Sequence, residues 1–389
     1  MRIVVISSDQ YPFFVETINA LSERGHEVHV FCSKEVGSNP GILRPNKNII
    51  IHSEFIGLLD NENNRLNFIR IPWIVGKLKR KLIEISPDLL HAFNLKWSGW
   101  IAAMAKFYPF ILTGLGSDIL IEAGANKNIF YRYLRNLTVR RANIVTCVSS
   151  HMLRQVKEIQ KTIEPILFFP GANPKVFFPK DPSIEIIKKY KSNNEIIIFS
   201  PRYIRPIYQT KEIVRAFAQV KTKIRNVKLL FGGSENDNPK YYAELRKLID
   251  QLGLNDCITF IGRVNIKVWV DCLALSDVVV SYPFSDGMPA TIYEAMAMKR
   301  PIVLSDVPSI CEVMANMHDA IICNKNDVNS LSDALIKITT DEFLRIQIGE
   351  NGYKTFNRIG NFENQVNNLT TAYSGLLNKN NNLTVSLKN

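Results

Sequence analysis

The sequence lacks the cysteine patterns that would indicate a disulfide framework or a zinc site. Its six cysteines are scattered through 389 residues, with no Cys-x-x-Cys pair and no histidine at metal-ligand spacing. It also lacks an apolar run near the roughly 20 residues that a membrane-spanning helix needs. Residues 1–8 lack the basic flank and cleavage site of a signal peptide. These absences favour a cytoplasmic protein that contacts a membrane only peripherally.

Three common phosphate- and metal-binding motifs are missing as well. No Gly-x-Gly-x-x-Gly follows the first predicted strand and no Walker phosphate loop is present, so dinucleotide oxidoreduction and nucleotide hydrolysis lack support. No Asp-x-Asp run is suited to holding a divalent ion against a diphosphate. We therefore expect a protein that requires neither a metal nor a cofactor.

Charge is abundant but unevenly distributed. Residues 1–180 hold 23 of the 48 lysines and arginines and 14 of the 36 acids, so +9 of the formal charge of +12 lies in this half. A basic surface attracts nucleic acid, anionic lipid and phosphorylated substrates alike, because a long-range field does not distinguish them. Charge alone therefore does not identify the partner.

Alternating apolar segments predict an α/β protein with two domains. Strand-like segments at Arg2–Ser7 and Glu27–Cys32 flank a helix-like segment at Phe14–Arg24 that Gly25 ends, which is a βαβ unit. A proline-rich stretch over 169–182 interrupts the alternation, and the pattern then restarts. We expect two Rossmann-like, doubly wound domains facing across a cleft. The predicted divisions are domains over 1–175 and 176–360, a C-terminal helix over 361–378 that crosses back to the first domain, and a disordered tail over 379–389.

The segment from Ser281 to Ala297 has the layout of an anion site, because a strand leads through a loop of small residues into a helix. Pro289 suits the first helical turn, so free backbone N–H groups at the helix start should point into the loop, where partial positive charge collects. A diphosphate fits such a site. The three N–H groups expected to be free are those of Ala290, Thr291 and Ile292. The predicted donor site includes the loop and helix start: Gly287, Met288, Pro289, Ala290 and Thr291.

Two carboxylates bracket this helix start. Asp286 lies before it and Glu294 lies one to two turns inside, so the pair can accept hydrogen bonds from both ends of a nucleotide-sugar. Here the sequence resembles the retaining glycosyltransferases of family 4, which have the GT-B fold and a pattern of Glu, seven residues, Glu. The resemblance implies that Glu294 binds the donor ribose and that Asp286 is a catalytic residue contacting the transferred sugar.

The resemblance extends along the flanking residues, with two departures. Residues 294–303 and 306–313 look like the family's continuation. Asp286 stands in for the first glutamate and shortens its reach by one methylene, which leaves the identity of the sugar open. Lys299 occupies a place where the family usually has a helix-ending glycine.

Further donor-binding residues follow from the same resemblance. Phe199-Ser-Pro-Arg202 looks like the family segment whose arginine grips the donor phosphates, which implies that Arg202 neutralises the departing diphosphate. The lysine that usually follows is not clearly present, and Arg205, Tyr208 and Lys211 are nearby. We include Arg205 and Lys211 in the predicted donor site and favour Arg205 for the role of that lysine. The family packs the donor base near the strand end that carries Arg263, which we add to the predicted donor site.

In the first domain, residues 87–93 and 113–118 resemble landmarks on the acceptor side of the family's cleft. The resemblance implies that Asp118 contacts the donor sugar or the acceptor, and we place it among the catalytic residues. Leu115 stands where the family often has histidine. His91 is the nearest alternative on the acceptor side, but a lone histidine after an apolar strand is more often structural. We therefore do not predict that His91 is a base.

The implied reaction is transfer of a hexosyl or N-acetylhexosaminyl group with retained anomeric configuration, from a UDP-sugar by preference and a GDP-sugar next. The acceptor is expected to be a glycan or a lipid-linked molecule in cell-surface polysaccharide or glycolipid synthesis. Residues 73–82 and 131–141 mix cations with aromatic and apolar residues. Such helices can lie on an anionic membrane, here the inner face of the plasma membrane, although a solvated helix face explains them equally well.

Two other functions remain open at this point. A nucleotide-sugar epimerase of GT-B-like fold would share the donor pocket but use no acceptor. A basic nucleic-acid-binding protein would explain the charge but leave the donor motif unexplained, and the sequence contains no recognisable DNA- or RNA-binding module. We therefore expect no nucleic-acid partner.

Overall fold

The computed structural model describes residues 1–7, 12–32, 44, 46–52, 66–116, 118–120, 129–169, 171–192 and 194–386. The chain forms two compact units, one of Met1–Phe169 with Glu363–Asn389 and the other of Pro170–Phe362. The boundary between them lies a few residues before the predicted one at 175. It falls inside the proline-rich stretch that suggested it.

The first unit is built on a parallel sheet. Its strands are β1 (Arg2–Ser7), β2 (Glu27–Cys32), β3 (Ile49–Ile51), β4 (Leu89–Phe93), β5 (Phe110–Gly114), β6 (Ile144–Cys147) and β7 (Ile166–Leu167). They pair in the order β3-β2-β1-β4-β5-β6-β7. The inner strands are almost continuous apolar runs, as parallel strands covered on both faces usually are. This strand order reverses direction between β1 and β4, which is the doubly wound topology.

Helices connect these strands: α1 (Pro12–Glu23), α2 (Leu66–Ile85), α3 (Trp97–Ala105), α4 (Ile129–Arg141) and α5 (Ser150–Ile159). Gly25 follows α1 at φ +80°, a left-handed conformation that glycine adopts without strain, so the predicted helix stop is confirmed. The sequence analysis did not predict α5. Its start is fixed by the Ser149 hydroxyl, which accepts a hydrogen bond from the Met152 N–H at 3.3 Å.

The second unit repeats the architecture with β8 (Ile196–Ser200), β9 (Val227–Phe231), β10 (Ile258–Phe260), β11 (Val278–Ser281), β12 (Ile302–Ser305) and β13 (Ile321–Cys323). These strands pair in parallel in the order β10-β9-β8-β11-β12-β13. The order reverses between β8 and β11. Loops that leave the carboxyl ends of these two strands therefore diverge and open a crevice, where parallel sheets of this kind bind their ligands.

The helices of the second unit are α6 (Ile184–Tyr190), α7 (Thr210–Lys223), α8 (Pro239–Gln251), α9 (Ile266–Leu275), α10 (Ala290–Ala297), α11 (Pro308–Cys311), α12 (Val328–Thr340) and α13 (Glu342–Thr355). A π-helical turn, Phe356–Gly360, follows α13. Side chains cap several starts. Asn265 accepts from the Val268 N–H at the start of α9, and Asp327 accepts from two N–H groups of α12.

The last helix, α14 (Phe362–Ser386), returns to the first unit. Arg24 of α1 pairs with Glu363 at 2.7 Å, and Tyr373 is fully buried. Residues 379–386 are helical, in contrast to the predicted disordered tail, and 387–389 lie outside the described residues. The prediction failed here because an existing helix gains one hydrogen bond per added residue and can extend without an apolar face. Within the described ranges, none of the helices combines the length and hydrophobicity needed to cross a bilayer.

Candidate functional site

Arg202 and Asp286 meet at the carboxyl ends of β8 and β11, where the strand order of the second unit reverses. Arg202 follows β8 by two residues and Asp286 follows β11 by five. The Arg202 Nη2 donates to the Asp286 carboxylate, and only 8% and 13% of their side chains are exposed. The structure thus brings together two residues that the sequence predicted for one site, in the crevice where parallel sheets place ligands.

Two further side chains hold the guanidinium of Arg202. Its Cζ lies 4.1 Å from the centre of the Tyr208 ring, and its Nη1 is 3.4 Å from Thr291 Oγ1 on α10. Burial lowers the pKa of Arg202, but the Asp286 carboxylate and Tyr208 outweigh burial and raise it above its usual value. Arg202 is therefore a cation held in place at the carboxyl end of β8, where the crevice opens.

Glu294 supplies the second carboxyl of the site from α10. Its oxygen Oε2 accepts a hydrogen bond from the indole Nε1 of Trp269 on α9 at 2.9 Å, and only 9% of the residue is exposed. Burial raises the pKa of Glu294 to about 7, while the Trp269 hydrogen bond and the charge of Arg202 act in the opposite direction. This carboxyl therefore changes its charge near neutral pH, and its ionised form accepts hydrogen bonds from hydroxyl groups.

The start of α10 offers two of the three predicted N–H groups. Pro289 is the N-cap residue, and its carbonyl accepts the N–H of Ile292 at 3.1 Å. Ile292 is therefore not free, which corrects the prediction, because the first turn closes with a short 3₁₀-type bond. The N–H groups of Ala290 and Thr291 have no acceptor among the described residues.

The loop before α10 is held by its own polar groups. Met288 donates its N–H to Asp286 Oδ1 at 3.3 Å, and Ser309 Oγ donates to the Asp286 carbonyl at 2.8 Å. Met288 has φ +136°, which is rare for a residue with a side chain. Together with Gly287, which precedes it, this turn aims the Asp286 carboxylate at Arg202.

Lys211, which we predicted to bind the donor, belongs to another contact in the structure. Its Nζ pairs with Glu244 of α8 at 2.6 Å and lies 4.8 Å from the Tyr241 ring centre. The prediction for Lys211 is therefore not supported by its position. The side chain that lies against Arg202 is instead Tyr208, which the sequence analysis noted only as a neighbour.

Arg205 and Arg263 are both exposed and lie near one phenol ring. The Cζ of Arg205 is 5.4 Å from the centre of the Tyr203 ring. Burial raises the pKa of Tyr203, and the charges of Arg263 and Arg205 act against this rise. Both predicted cations therefore act on Tyr203, and neither is among the side chains that contact the Arg202 guanidinium.

Asp118 of the first unit shapes a loop. Its carboxylate accepts the N–H groups of Leu95 at 2.9 Å, Gly116 at 2.7 Å and Leu115 at 3.1 Å, and the residue is buried. Because both oxygens are engaged by the backbone, the geometry assigns Asp118 a structural role. The predicted catalytic contact with a sugar or acceptor finds no support in this arrangement.

His91 is a structural residue as well. Its Nδ1 lies 2.6 Å from the Tyr373 hydroxyl of α14 and its Nε2 lies 2.7 Å from Thr113 Oγ1. Complete burial lowers the pKa of His91 to about 3, so the ring stays neutral. Its placement on the acceptor side is therefore wrong, because a fully buried ring with both nitrogens bonded cannot reach an acceptor.

Trp269 is the site residue that the sequence analysis missed. A Cβ on Gly232, at the end of β9, would come within 2.7 Å of the Trp269 ring, so only glycine leaves room for the indole. The sequence shows glycines after β9, but it does not reveal which aromatic side chain packs on them. Among the described residues, no cluster of three or more His, Cys, Asp or Glu side chains has the geometry to hold a metal ion.

Comparisons with known proteins agree with this geometry. Residues 182–355 match the family described as glycosyl transferases group 1, and residues 2–149 match the family described as glycosyl transferase 4-like. The chain is 24% identical to N-acetyl-alpha-D-glucosaminyl L-malate synthase of Bacillus anthracis, over 92% of this chain and 91% of that protein. It is 23% identical to D-inositol 3-phosphate glycosyltransferase of Stackebrandtia nassauensis, over 85% and 78% of the two chains.

Solved structures share the architecture. Sucrose-phosphate synthase from Thermosynechococcus elongatus superposes with a TM-score of 0.84 at 18% identity, covering 97% of this chain and all (100%) of that one. HepE of Anabaena, in complex with UDP-glucose, superposes with a TM-score of 0.76 at 17% identity, with the same coverage. At these identities the likeness shows the fold alone, which is the GT-B fold with its two Rossmann-like parallel-sheet domains. Both halves of the chain match glycosyltransferase families, the second half group 1 and the first half the 4-like family. The chain therefore belongs to the GT4-like group 1 glycosyltransferases.

Proposed function

We propose that this glycosyltransferase moves a hexosyl or N-acetylhexosaminyl group from a UDP-sugar, or next in preference a GDP-sugar, to a glycan or lipid-linked acceptor with retention of configuration. The observation that carries the proposal is the buried Arg202 beside Asp286 and Glu294 at the β8–β11 crevice. The UDP-glucose complex of HepE and the glucosaminyl group in the name of the Bacillus anthracis relative favour a UDP-linked donor.

Three kinds of group in the site bind three parts of the donor: the diphosphate, the ribose and the transferred sugar. A guanidinium can make two parallel hydrogen bonds to phosphate oxygens, so Arg202 and the free N–H groups at the start of α10 face the diphosphate. Glu294 accepts the hydroxyl groups of the ribose. Asp286, at the other end of the bracket, accepts a hydroxyl of the transferred sugar.

The rate enhancement comes from positioning and from stabilising the departing charge. In the proposed same-face reaction, the acceptor hydroxyl attacks the anomeric carbon on the side from which the diphosphate leaves, and the diphosphate takes up the acceptor proton. No carboxylate nucleophile is needed for this course. Because Tyr208 and Thr291 already hold the guanidinium of Arg202 in place, little reorganisation is required as negative charge develops.

An acceptor attached to lipid is favoured by the exposed faces of α2 and α4. Both helices pack against α3 in the first unit. The indole of Trp73 is 53% exposed beside Lys77, whose Nζ lies 5.5 Å from the ring centre. On α4, Phe130 and Tyr133 are exposed among arginines. Rings and cations side by side suit an anionic lipid surface, so we place the enzyme at the cytoplasmic face of the plasma membrane.

Product analysis tests the proposal. The purified chain is incubated with UDP- and GDP-sugars and a panel of glycan and lipid-linked acceptors, and the anomeric configuration of the product is read by NMR coupling constants. The proposal predicts an acceptor-dependent product with the configuration of the donor. An inverted product would refute retention, and an epimerised sugar formed without acceptor would establish the epimerase alternative.

A further inference from the structure

Trp269 reaches the donor crevice from an element that carries none of the other site residues. It lies on α9, and its indole Nε1 donates to Oε2 of Glu294 on α10 at 2.9 Å. An indole N–H is a donor only, so the contact has one direction and fixes one of the two carboxyl oxygens. The second oxygen, Oε1, is not engaged by Trp269 and is left for another donor.

The position of the indole is fixed from two sides. Gly232 lies beneath the ring, where a Cβ would come within 2.7 Å and 2.8 Å of Cζ3 and Cη2. Phe199 of β8 meets the indole edge-to-face, with ring centres 5.4 Å apart and planes at 67°. Because the indole packs on the backbone of Gly232 and against the ring of Phe199, it has little freedom to rotate. The N–H therefore points to a constant place in the crevice.

The charge around Glu294 comes from Arg202. The field of this guanidinium favours the ionised carboxyl, and its own partner is Asp286. Beyond the end of α10, Lys299 pairs with Glu350 of α13 at 2.7 Å. The other charged residues of the elements packed against Glu294 are exposed or bonded elsewhere: Lys267, Asp271, Glu342, Arg345, Lys354 and Arg358.

We propose that Trp269 is a positioning residue whose N–H fixes Glu294 Oε2, so that Oε1 is presented to the ribose hydroxyls of the donor. This inference rests on the proposed function. Its consequence is specific, because the same hydrogen bond favours the ionised carboxyl. Without the N–H, the pKa of Glu294 rises above about 7, and a smaller fraction of the protein carries the ionised carboxylate, the stronger acceptor for the ribose hydroxyls, at neutral pH.

Trp269→Phe tests the inference, since it keeps a flat ring over Gly232 and removes the N–H. Binding of UDP, and of GDP in parallel, is measured by calorimetry between pH 5.5 and 8.5, with a melting curve to verify folding. We expect the affinity at pH 7 to fall by roughly 10-fold and the affinity-versus-pH curve to move up by about one pH unit. Should the phenylalanine variant not fold, Trp269→Tyr removes the same N–H with a more polar ring.

Two controls separate this role from a general loosening of the crevice. In a Glu294→Gln background no proton is exchanged at this position, so Trp269→Phe should leave the shape of the pH curve unchanged. With 2′,3′-dideoxy-UDP, which lacks the ribose hydroxyls, the effect of Trp269→Phe should disappear. An equal loss for UDP and its dideoxy analogue would overturn the inference and leave the proposed function intact. Failure of the wild type to bind any nucleotide diphosphate would overturn both.

Discussion

Glu294 destabilises the folded chain at and above neutral pH. Its pKa is about 7 in the folded protein, against the ordinary 4.5, because burial disfavours the charge. The folded state holds the proton of Glu294 more tightly than the unfolded chain does. The contribution of this residue to stability is therefore fully present below about pH 4.5 and is lost as the pH rises through about 7. We expect Glu294→Gln to raise the free energy of unfolding by about 2–3 kcal/mol more at pH 8 than at pH 5, as measured by urea denaturation. Equal effects at both pH values would show that the carboxyl is ordinarily solvated.

In the proposed site, Asp286 competes with the donor diphosphate for Arg202, because the Asp286 carboxylate is already paired with the guanidinium. Asp286→Asn removes the competing charge and leaves the guanidinium buried without a full counter-charge. We therefore expect this variant to bind UDP or GDP several-fold more tightly in calorimetry while losing transfer activity by about 100-fold.

Asp333→Asn is the matched control, because this exposed acid on α12 undergoes the same change of charge. Asp333→Asn should change neither the affinity for UDP or GDP nor the transfer activity. Weaker nucleotide binding by Asp286→Asn would mean that the Asp286 carboxylate helps Arg202 to bind the diphosphate, and it would contradict competition between the two for Arg202.

At the scale of elements, a buried hydroxyl of α14 contacts the sheet of the first unit, because Tyr373 bonds to His91 of β4. Tyr373→Phe would leave His91 Nδ1 buried without its partner at 2.6 Å. An unsatisfied buried group costs about 1–3 kcal/mol, and we expect that loss of stability together with faster hydrogen exchange in α14. Arg24→Ala, which removes the partly exposed pair with Glu363, should cost less than about 1 kcal/mol. A larger effect of Arg24→Ala than of Tyr373→Phe would reverse this ranking.

Most of the sheet was predictable because its strands are short apolar runs bounded by turn residues. The predicted bounds of the strands Arg2–Ser7 and Glu27–Cys32 agree with the structure. The strand Ile321–Cys323 is only three residues long, and α13 has apolar side chains around its circumference rather than on one face. Neither gives a clear period, so both were missed. Lys299 shows that α10 can end without glycine, because the lysine itself adopts φ +55°.

At the scale of the whole molecule, the candidate donor site joins residues that are far apart in the sequence. Asp286 and Glu294 were predictable because one helix start fixes their spacing, and Arg202 because it ends a strand. Its hydrogen bond to Asp286 spans 84 positions, and only the order of strands reveals that the two strand ends adjoin. Trp269 joins the site through its hydrogen bond to Glu294 and Tyr208 through its ring contact with Arg202, and local sequence patterns encode neither contact. For the same reason the structural roles of His91 and Asp118 became visible only with their partners in place.

The proposed membrane contact belongs to the basic first half of the chain. If α2 rests on lipid, flotation with liposomes containing anionic phospholipid should be strong at low salt and lost at high salt, since each cation near the surface contributes about 1 kcal/mol. Trp73→Ala should reduce flotation, because the exposed indole would no longer enter the interface. Tyr108→Ala removes an equally exposed ring outside α2 and α4 and should leave flotation unchanged. Absence of any salt-sensitive flotation would contradict the proposed binding to an anionic membrane.

Calorimetry of nucleotide diphosphates and their sugars is the most direct test that the β8–β11 crevice is the donor site. The wild type, Arg202→Ala and Glu294→Ala are titrated with UDP, GDP and the corresponding sugars, after circular dichroism has verified that each is folded. We predict saturable binding of a nucleotide diphosphate by the wild type, weakened by about 10-fold to 100-fold in each variant, because each loses a charge-assisted contact. Unchanged affinity in both variants would contradict the assignment of this crevice.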